Sequence, residues 1–361
     1  MKIIYFSLGY CTHDYRFLKT ISEGGHEVFY VRLENNARQV EDRAVPENVN
    51  QVIWKGGRES FKWSNLLKLT LDFQRLTKEI NPDLIHAGPI QTCAFIAILS
   101  GFRPILTMSW GFDLMDDVHK NWWMKKITQY VLRNTQYFTS DANITRDKAV
   151  AYGMNPEKTI VFPWGVDLQH YQPSTFNLEP STFTLFCNRS WEPRYGVDVL
   201  AKAFVKVAAT KPEVSLILLN GGSQAAIIRQ ILQNGGALER VYFGGQVSQT
   251  DLPNWYHRAN LYISPSHVDG SSVSLMEALA CGLPCLVSDI PANKEWVTEN
   301  KNGWLFEDGN VNMLAEKILL AIESKSLAKI GNASRIIAEE RADWKKNAMK
   351  LMQTYEIILK K

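Results

Sequence analysis

Short apolar runs alternate with stretches of helical periodicity along almost the whole chain, and this alternation is the strongest constraint on its fold. Residues 3–6 form a buried-strand run, Phe17, Leu18 and Ile21 then recur at helical spacing, and Gly24-Gly25 stops that helix. Residues 27–31 read as a second strand. Further strands are expected at 84–86 and 105–108, with helices at 65–80 and 122–133. The pattern restarts after residues 173–180, a stretch rich in Pro, Ser, Thr and Asn that reads as a linker. Strands then fit 184–187, 215–219, 241–243, 261–264 and 285–288, with helices at 197–209, 224–233 and 274–280 and a final helical segment at 342–359. Such an order gives an α/β architecture of parallel sheets covered by helices on both faces. The expected division is two Rossmann-like, doubly wound domains, 1–172 and 173–361, with the final helix returning to the first.

Length and composition agree with that reading. The chain has 361 residues, enough for two cores at about 150 residues per domain. Forty basic against 37 acidic residues give a net charge of +3, so no bulk charge points to nucleic acid. The longest apolar run, 93–99, is far short of the ~20 residues a spanning helix needs. The apolar start at 3–6 is too short for a signal peptide, which argues for a cytoplasmic chain. Cys11, Cys93, Cys187, Cys281 and Cys285 contain no C-x-x-C, and the histidines form no H-E-x-x-H, so no metal site is expected.

Two segments carry chemistry. In the first, 264–284, a strand ends near Ser264 and the small loop Gly270-Ser271-Ser272 leads into a helix from about Val273. Free amides and the positive end of the helix dipole suit a phosphate there. Asp269 stands just before the helix and Glu277 about a turn inside it. The pair can hold sugar hydroxyls on one side and a ribose on the other; equally, Asp269 can cap a loop and Glu277 can be a solvated helix residue. In the second segment, 187–196, Arg189 and Arg194 follow a strand. Their forked donors match a diphosphate, although surface ion pairs are the commoner fate of arginine.

Together these segments resemble the retaining family 4 glycosyltransferases of the GT-B fold, in which two such domains face each other across a cleft. Asp269 to Glu277 has the family's E-x7-E spacing with aspartate first, followed by A-x-G-x-P. Gly25-His26-Glu27-Val28 is similar to its G-H-E-V, Trp164-Gly165-Val166-Asp167 to its N-G-V-D, and Gly303-Trp304-Leu305-Phe306 to its N-G-x-L-F turn. The resemblance implies that Glu277 binds the ribose hydroxyls and Asp269 the donor sugar. It implies that amides of Gly270, Ser271, Ser272 and Val273 meet sugar and phosphate, and that Arg189 meets the diphosphate. The base would lie near Gln246 and Val247, and Gly9 near the donor phosphate or the acceptor.

Two departures stand out. Tyr195 occupies the place of the family's lysine, with Arg194 one step away as a replacement charge. Trp110 occupies the place of a histidine in Ser109-Trp110-Gly111, leaving Asp113 either as the polar group that orients the acceptor or as a helix N-cap.

The expected function is metal-independent, retaining transfer from a nucleotide-diphosphate sugar, with UDP-sugars favoured, to an acceptor hydroxyl in polysaccharide or glycoconjugate synthesis. Asp113, Asp269 and Arg189 are the catalytic candidates, and no cofactor is needed beyond the nucleotide sugar itself. A nucleotide-sugar epimerase and a non-catalytic nucleotide-sugar sensor are the alternatives. An NAD-dependent oxidoreductase lacks its glycine fingerprint, because residues 6–12 hold no G-x-G-x-x-G. Residues 119–133 hold Lys120, Lys125, Lys126 and Arg133, no acid, and Trp122, Trp123, Met124 and Ile127. This composition suits reversible contact with the inner face of a membrane and a lipid-linked acceptor, or else tryptophans packed into the first core with a lysine rim.

Overall fold

A computed structural model describes residues 1–34, 41–58, 60–174 and 182–359. The chain divides into two compact units: Met1–Trp164 together with Lys346–Lys361, and Gly165–Lys345. The junction lies before the expected boundary at 172. Gly165 takes a left-handed φ of +67°, and Val166 exchanges backbone hydrogen bonds with Ala342 and Trp344. Val166 and Tyr171 are then buried in the second unit's core. The linker read at 173–180 lies outside the described residues from 175 on.

The first unit is built on a seven-stranded parallel sheet. Its strands are β1 (Lys2–Ser7), β2 (Glu27–Arg32), β3 (Val49–Val52), β4 (Leu84–Ala87), β5 (Ile105–Met108), β6 (Tyr137–Ser140) and β7 (Thr159–Val161), in the order β3-β2-β1-β4-β5-β6-β7. The central strands are buried on both faces, which is why residues 3–6 and 84–87 carry no polar alternation. One helical layer contains Leu66–Ile80, Phe95–Leu99 and Trp122–Asn134, sealed by Leu69, Phe73, Ile96, Ile127 and Val131. The last helix, Trp344–Leu359, contributes to this unit from Lys346 on. Its Tyr355 hydroxyl lies 2.7 Å from Nδ1 of the buried His86 on β4.

The second unit holds a six-stranded parallel sheet of β8 (Phe183–Cys187), β9 (Val214–Leu219), β10 (Val241–Gly245), β11 (Leu261–Ser264), β12 (Cys285–Ser288) and β13 (Gly303–Phe306), in the order β10-β9-β8-β11-β12-β13. The segment 303–306, expected as a turn, is the edge strand β13. Gly303 is required there, because a Cβ would come within 2.0 Å of the Cys285 carbonyl oxygen, and Trp304 is buried in the core. Both sheets reverse their strand order beside the first strand of the unit, the place where open parallel sheets bind ligands at their carboxyl ends.

Candidate active site

The carboxyl ends of β8, β9, β10 and β11 assemble the polar centre of the second unit. Asn220, at φ +67°, follows β9 and donates from its backbone to Gly245 and from its side chain to the Asn188 carbonyl. This lacing fixes the loop that carries Arg189 after β8 and the start of the segment Gln246-Val247 after β10. Val247 rests against the core, and Gln246 is exposed.

Arg189 is the hub. Its Nη2 donates to Asp269 Oδ2 at 2.7 Å, and its Nη1 donates to Ser272 Oγ at 2.6 Å and Ser274 Oγ at 3.0 Å. The two side chains of the ion pair are only 10% and 15% exposed, so the charges sit largely out of water. Burial alone would lower the Arg189 pKa, but Asp269 and neighbouring hydroxyls raise it, and the guanidinium stays charged. Burial pushes the Asp269 carboxyl up, while Arg189 and the Gly270 amide pull it back. Nε of Arg189 is buried and has no hydrogen-bond partner among the described residues.

The segment 269–277 enters the helix Val273–Ala280 through Ser272, whose hydroxyl accepts from the Leu275 amide as an N-cap. Ser271 is pinned by the Trp296 indole N–H at 3.1 Å. Gly270, Ser271 and Ser272 are therefore an ordered, buried turn ahead of the helix dipole. Glu277 is 3% exposed, so it is not a solvated helix residue. Its Oε2 lies 2.8 Å from the Tyr256 hydroxyl, which also meets the Ser274 carbonyl and accepts from Asn188 Nδ2 at 2.9 Å. A buried carboxylate held this way is a rigid acceptor for hydroxyls.

Tyr195, in the lysine position, lays its ring under Arg189 with the guanidinium carbon 4.3 Å from the centroid. It holds the arginine by its π face rather than supplying a second charge. Arg194 is half-buried in the turn Pro193–Tyr195, where its carbonyl accepts from the His267 amide. Gly196 makes this approach possible, since a Cβ there would lie 2.2 Å from the Pro265 carbonyl oxygen. Tyr256, Ser274 and Asn188 escaped the sequence reading, which noted Tyr195 only as the residue in the lysine's place and not for its ring contact with Arg189. Only Ser274 had a local signal, its place two residues after the N-cap Ser272.

In the first unit Gly9 sits in the loop after β1, its carbonyl accepting from the Ser7 and Tyr30 hydroxyls. Asp113 is fully buried. It is neither a helix N-cap, a place taken by Gly111, nor a group open to an acceptor. Its Oδ1 accepts from the Ser109 hydroxyl at 2.6 Å, and its carboxylate accepts the amides of Ile90, Trp110 and Leu114. Burial raises its pKa to about 6. Asp113 thus shapes the Ser109-Trp110-Gly111 turn from behind, a positioning residue rather than a reacting one. Trp110 and His13 lie at the same sheet edge, and Trp164 stacks edge-on to His13 at 4.3 Å. Trp122 and Trp123 are exposed, 71% and 51%, so the alternative of core tryptophans fails for both. Among the described residues no group of three or more His, Cys, Asp or Glu side chains is placed to hold a metal ion.

Two parallel sheets of this order, with a charged, amide-rich turn at the carboxyl end of the second, define a nucleotide-binding protein of two Rossmann-like units. The comparisons with known proteins name the family. Residues 173–351 match the model of the glycosyl transferases group 1, and residues 2–142 match that of the glycosyl transferase 4-like proteins. The chain belongs to the group 1 glycosyltransferases and is a glycosyltransferase of the GT-B fold. It is 25% identical over 288 residues to the GDP-mannose-dependent alpha-(1-6)-phosphatidylinositol monomannoside mannosyltransferase of Mycobacterium tuberculosis, covering 73% of this chain and 72% of that one. It is 26% identical over 215 residues to spore coat protein SA of Bacillus subtilis, covering 53% and 57%. Sucrose-phosphate synthase of Thermosynechococcus elongatus shares the fold at a TM-score of 0.83 and 17% identity over 99% and 98% of the chains. HepE of Anabaena, solved with UDP and glucose, shares it at 0.80 and 18% over 99% of each.

Proposed function

We propose that the chain transfers a sugar, with retention and without a metal, from a nucleoside-diphosphate sugar to an acceptor hydroxyl. The observation that carries this reading is the buried Arg189–Asp269 pair at the capped start of the helix that also presents Glu277. In it, Glu277 binds the ribose and Asp269 the donor sugar. Arg189 turns its unpaired Nε toward the diphosphate, and Tyr195 steadies it. The leaving group is an anion, and a fixed guanidinium with the helix-start amides stabilises its developing charge. The acceptor hydroxyl attacks C1 from the face the diphosphate leaves, and its proton passes to the departing phosphate oxygen. Arg194 adds positive charge at the rim, and the base stacks near Gln246 and Val247.

The donor base is read as uridine. A guanosine base is the second reading, favoured by the GDP-mannose dependence named for the mycobacterial relative. A thermal-shift panel of UDP, GDP and ADP sugars decides: the true donor stabilises the fold by about 2.7 kcal/mol at a hundred times its Kd. EDTA is expected to leave turnover intact, and loss on chelation would contradict the metal-free reading. The acceptor is read as a carbohydrate or a lipid-linked hydroxyl. Residues 119–133 give reversible contact with a membrane, in keeping with the phosphatidylinositol-linked acceptor named for that relative.

A further inference from the structure

Neighbouring loops at the carboxyl edge of the second sheet are tied together by one string of hydrogen bonds, and its central link has no part in the site described so far. The strands concerned follow the order β8-β11-β12-β13. The turn after β8 is joined to the loop after β11 by the His267 amide, which donates to the Arg194 carbonyl at 2.9 Å. His267 then reaches past β12 to the loop after β13, where its Nδ1 lies 2.6 Å from Asp308 Oδ1. An ionised carboxylate only accepts, so in this bond Nδ1 carries the proton. Asp308 is braced in turn. Its amide donates to Asp289 Oδ1 at 3.2 Å, and the Asp289 amide, just after β12, donates to the Phe306 carbonyl at 2.8 Å. Lys294 stands 3.3 Å from the other carboxylate oxygen of Asp289. The last residue of β12 holds the same loop directly, since the Ser288 hydroxyl donates to the Ser266 carbonyl.

This string ends on the segment that carries Asp269. His267 stands two residues before Asp269, and Ser271, two residues after it, is fixed by Trp296. Asp269 is therefore held between two anchors. The imidazole also fits closely against the turn of Arg194, because a Cβ on Gly196 would come within 3.2 Å of its Nε2. The side chains of His267 and Asp308 are 33% and 37% exposed, so the pair does not support the core. A surface pair is worth little to stability by itself. Its worth here lies in direction, since a misplacement of about 1 Å at a reacting centre can cost ~100-fold. The groups read as nucleotide ligands take their direction from elsewhere: Glu277 from Tyr256, and Arg189 from Ser272 and Ser274.

We propose that His267 and Asp308 act as a positioning pair that aims Asp269 at the donor sugar, and so govern how well the protein tells a nucleotide sugar from the free nucleotide. This rests on the reading of Asp269 as the sugar's ligand and deepens it. Both residues act through Asp269.

The test is calorimetric titration of the full chain with UDP, GDP, UDP-glucose and GDP-mannose, which gives the ratio of nucleotide-sugar affinity to free-nucleotide affinity. Asp269→Ala is expected to lower this ratio about tenfold, as the loss of one charged hydrogen bond. His267→Leu and Asp308→Ala are each expected to lower it comparably, the double variant no further than either alone, with free-nucleotide affinity held within about twofold. His267→Asn places an amide N–H where Nδ1 stood and is expected to recover most of the ratio. Thermal melting is expected to change little in the His267 and Asp308 variants. If Asp269→Ala lowers the ratio while His267→Leu keeps the wild-type value, the pair is wrong and the sugar-ligand reading stands. If Asp269→Ala leaves the ratio unchanged, that reading falls and the pair falls with it. Equal losses of nucleotide and nucleotide sugar in His267→Leu, or no recovery in His267→Asn, would overturn the aiming role. A wild type that binds none of these probes overturns the donor reading and the pair together.

Discussion

Glu277 and Asp269 share one loop and helix, yet their partners predict different failures. Glu277→Ala should weaken free nucleoside diphosphate and nucleotide sugar alike, by about 1.5–3 kcal/mol for a lost charged hydrogen bond. Asp269→Ala should spare the free nucleotide and lower turnover, and calorimetric titration with UDP and GDP distinguishes the two. Arg189→Ala is a harsher change, because it strands a buried carboxylate, a loss of about 3–5 kcal/mol in stability. Combining it with Asp269→Ala should recover much of that stability while leaving diphosphate binding weak, and denaturation of the two variants checks this. Asp113 predicts a pH effect. Its pKa is raised to about 6 by burial, so its contribution to stability is greatest below the ordinary carboxylate range and is lost as pH rises through 6. Asp113→Asn should therefore remove about 1 kcal/mol of the stability change between pH 5 and pH 7, measured by urea unfolding. Arg189, Asp269 and Glu277 were legible because a dense local spacing marked them. Tyr256 and Tyr195 were not: Tyr256 meets a residue 21 positions away, and Tyr195 acts through its ring on a residue whose own role had to be known first.

At the scale of elements, the legible ones were those whose periodicity was long or fully apolar. The helices read at 65–80 and 122–133 appear as Leu66–Ile80 and Trp122–Asn134. The missed strands are short or partly polar. Val49–Val52 is an edge strand with Asn50 and Gln51 in water, and Thr159–Val161 has only three residues. The last helix was legible as a helix, but its anchoring was not, since Tyr355 finds His86 across 269 positions of sequence. Burial lowers the pKa of His86 to about 3 and keeps it neutral, and its Nε2 has no partner among the described residues. Tyr355→Phe removes the hydrogen bond between this hydroxyl and the His86 ring, and a loss of about 1–3 kcal/mol is expected in chemical denaturation. Little loss would mean that the helix is held by its apolar face alone.

For the whole molecule, the alternation of strand and helix signals predicts the two α/β sheets that are found, because a parallel sheet forces every strand to be followed by a crossover. The junction fell eight positions earlier than read, since a left-handed glycine and a backbone bridge, not composition, commit the chain to the second unit. What the two units accomplish together is a chemical question with a direct measurement. Wild-type protein is incubated with UDP- and GDP-hexoses and a lipid extract, and the anomeric signals are followed by NMR. The account predicts that one nucleotide sugar is consumed, that free nucleoside diphosphate appears, and that the new linkage keeps the donor's anomeric configuration. The Arg189→Ala, Asp269→Ala double variant should show none of this. A sugar returned as its epimer without transfer, or an inverted linkage, would contradict it.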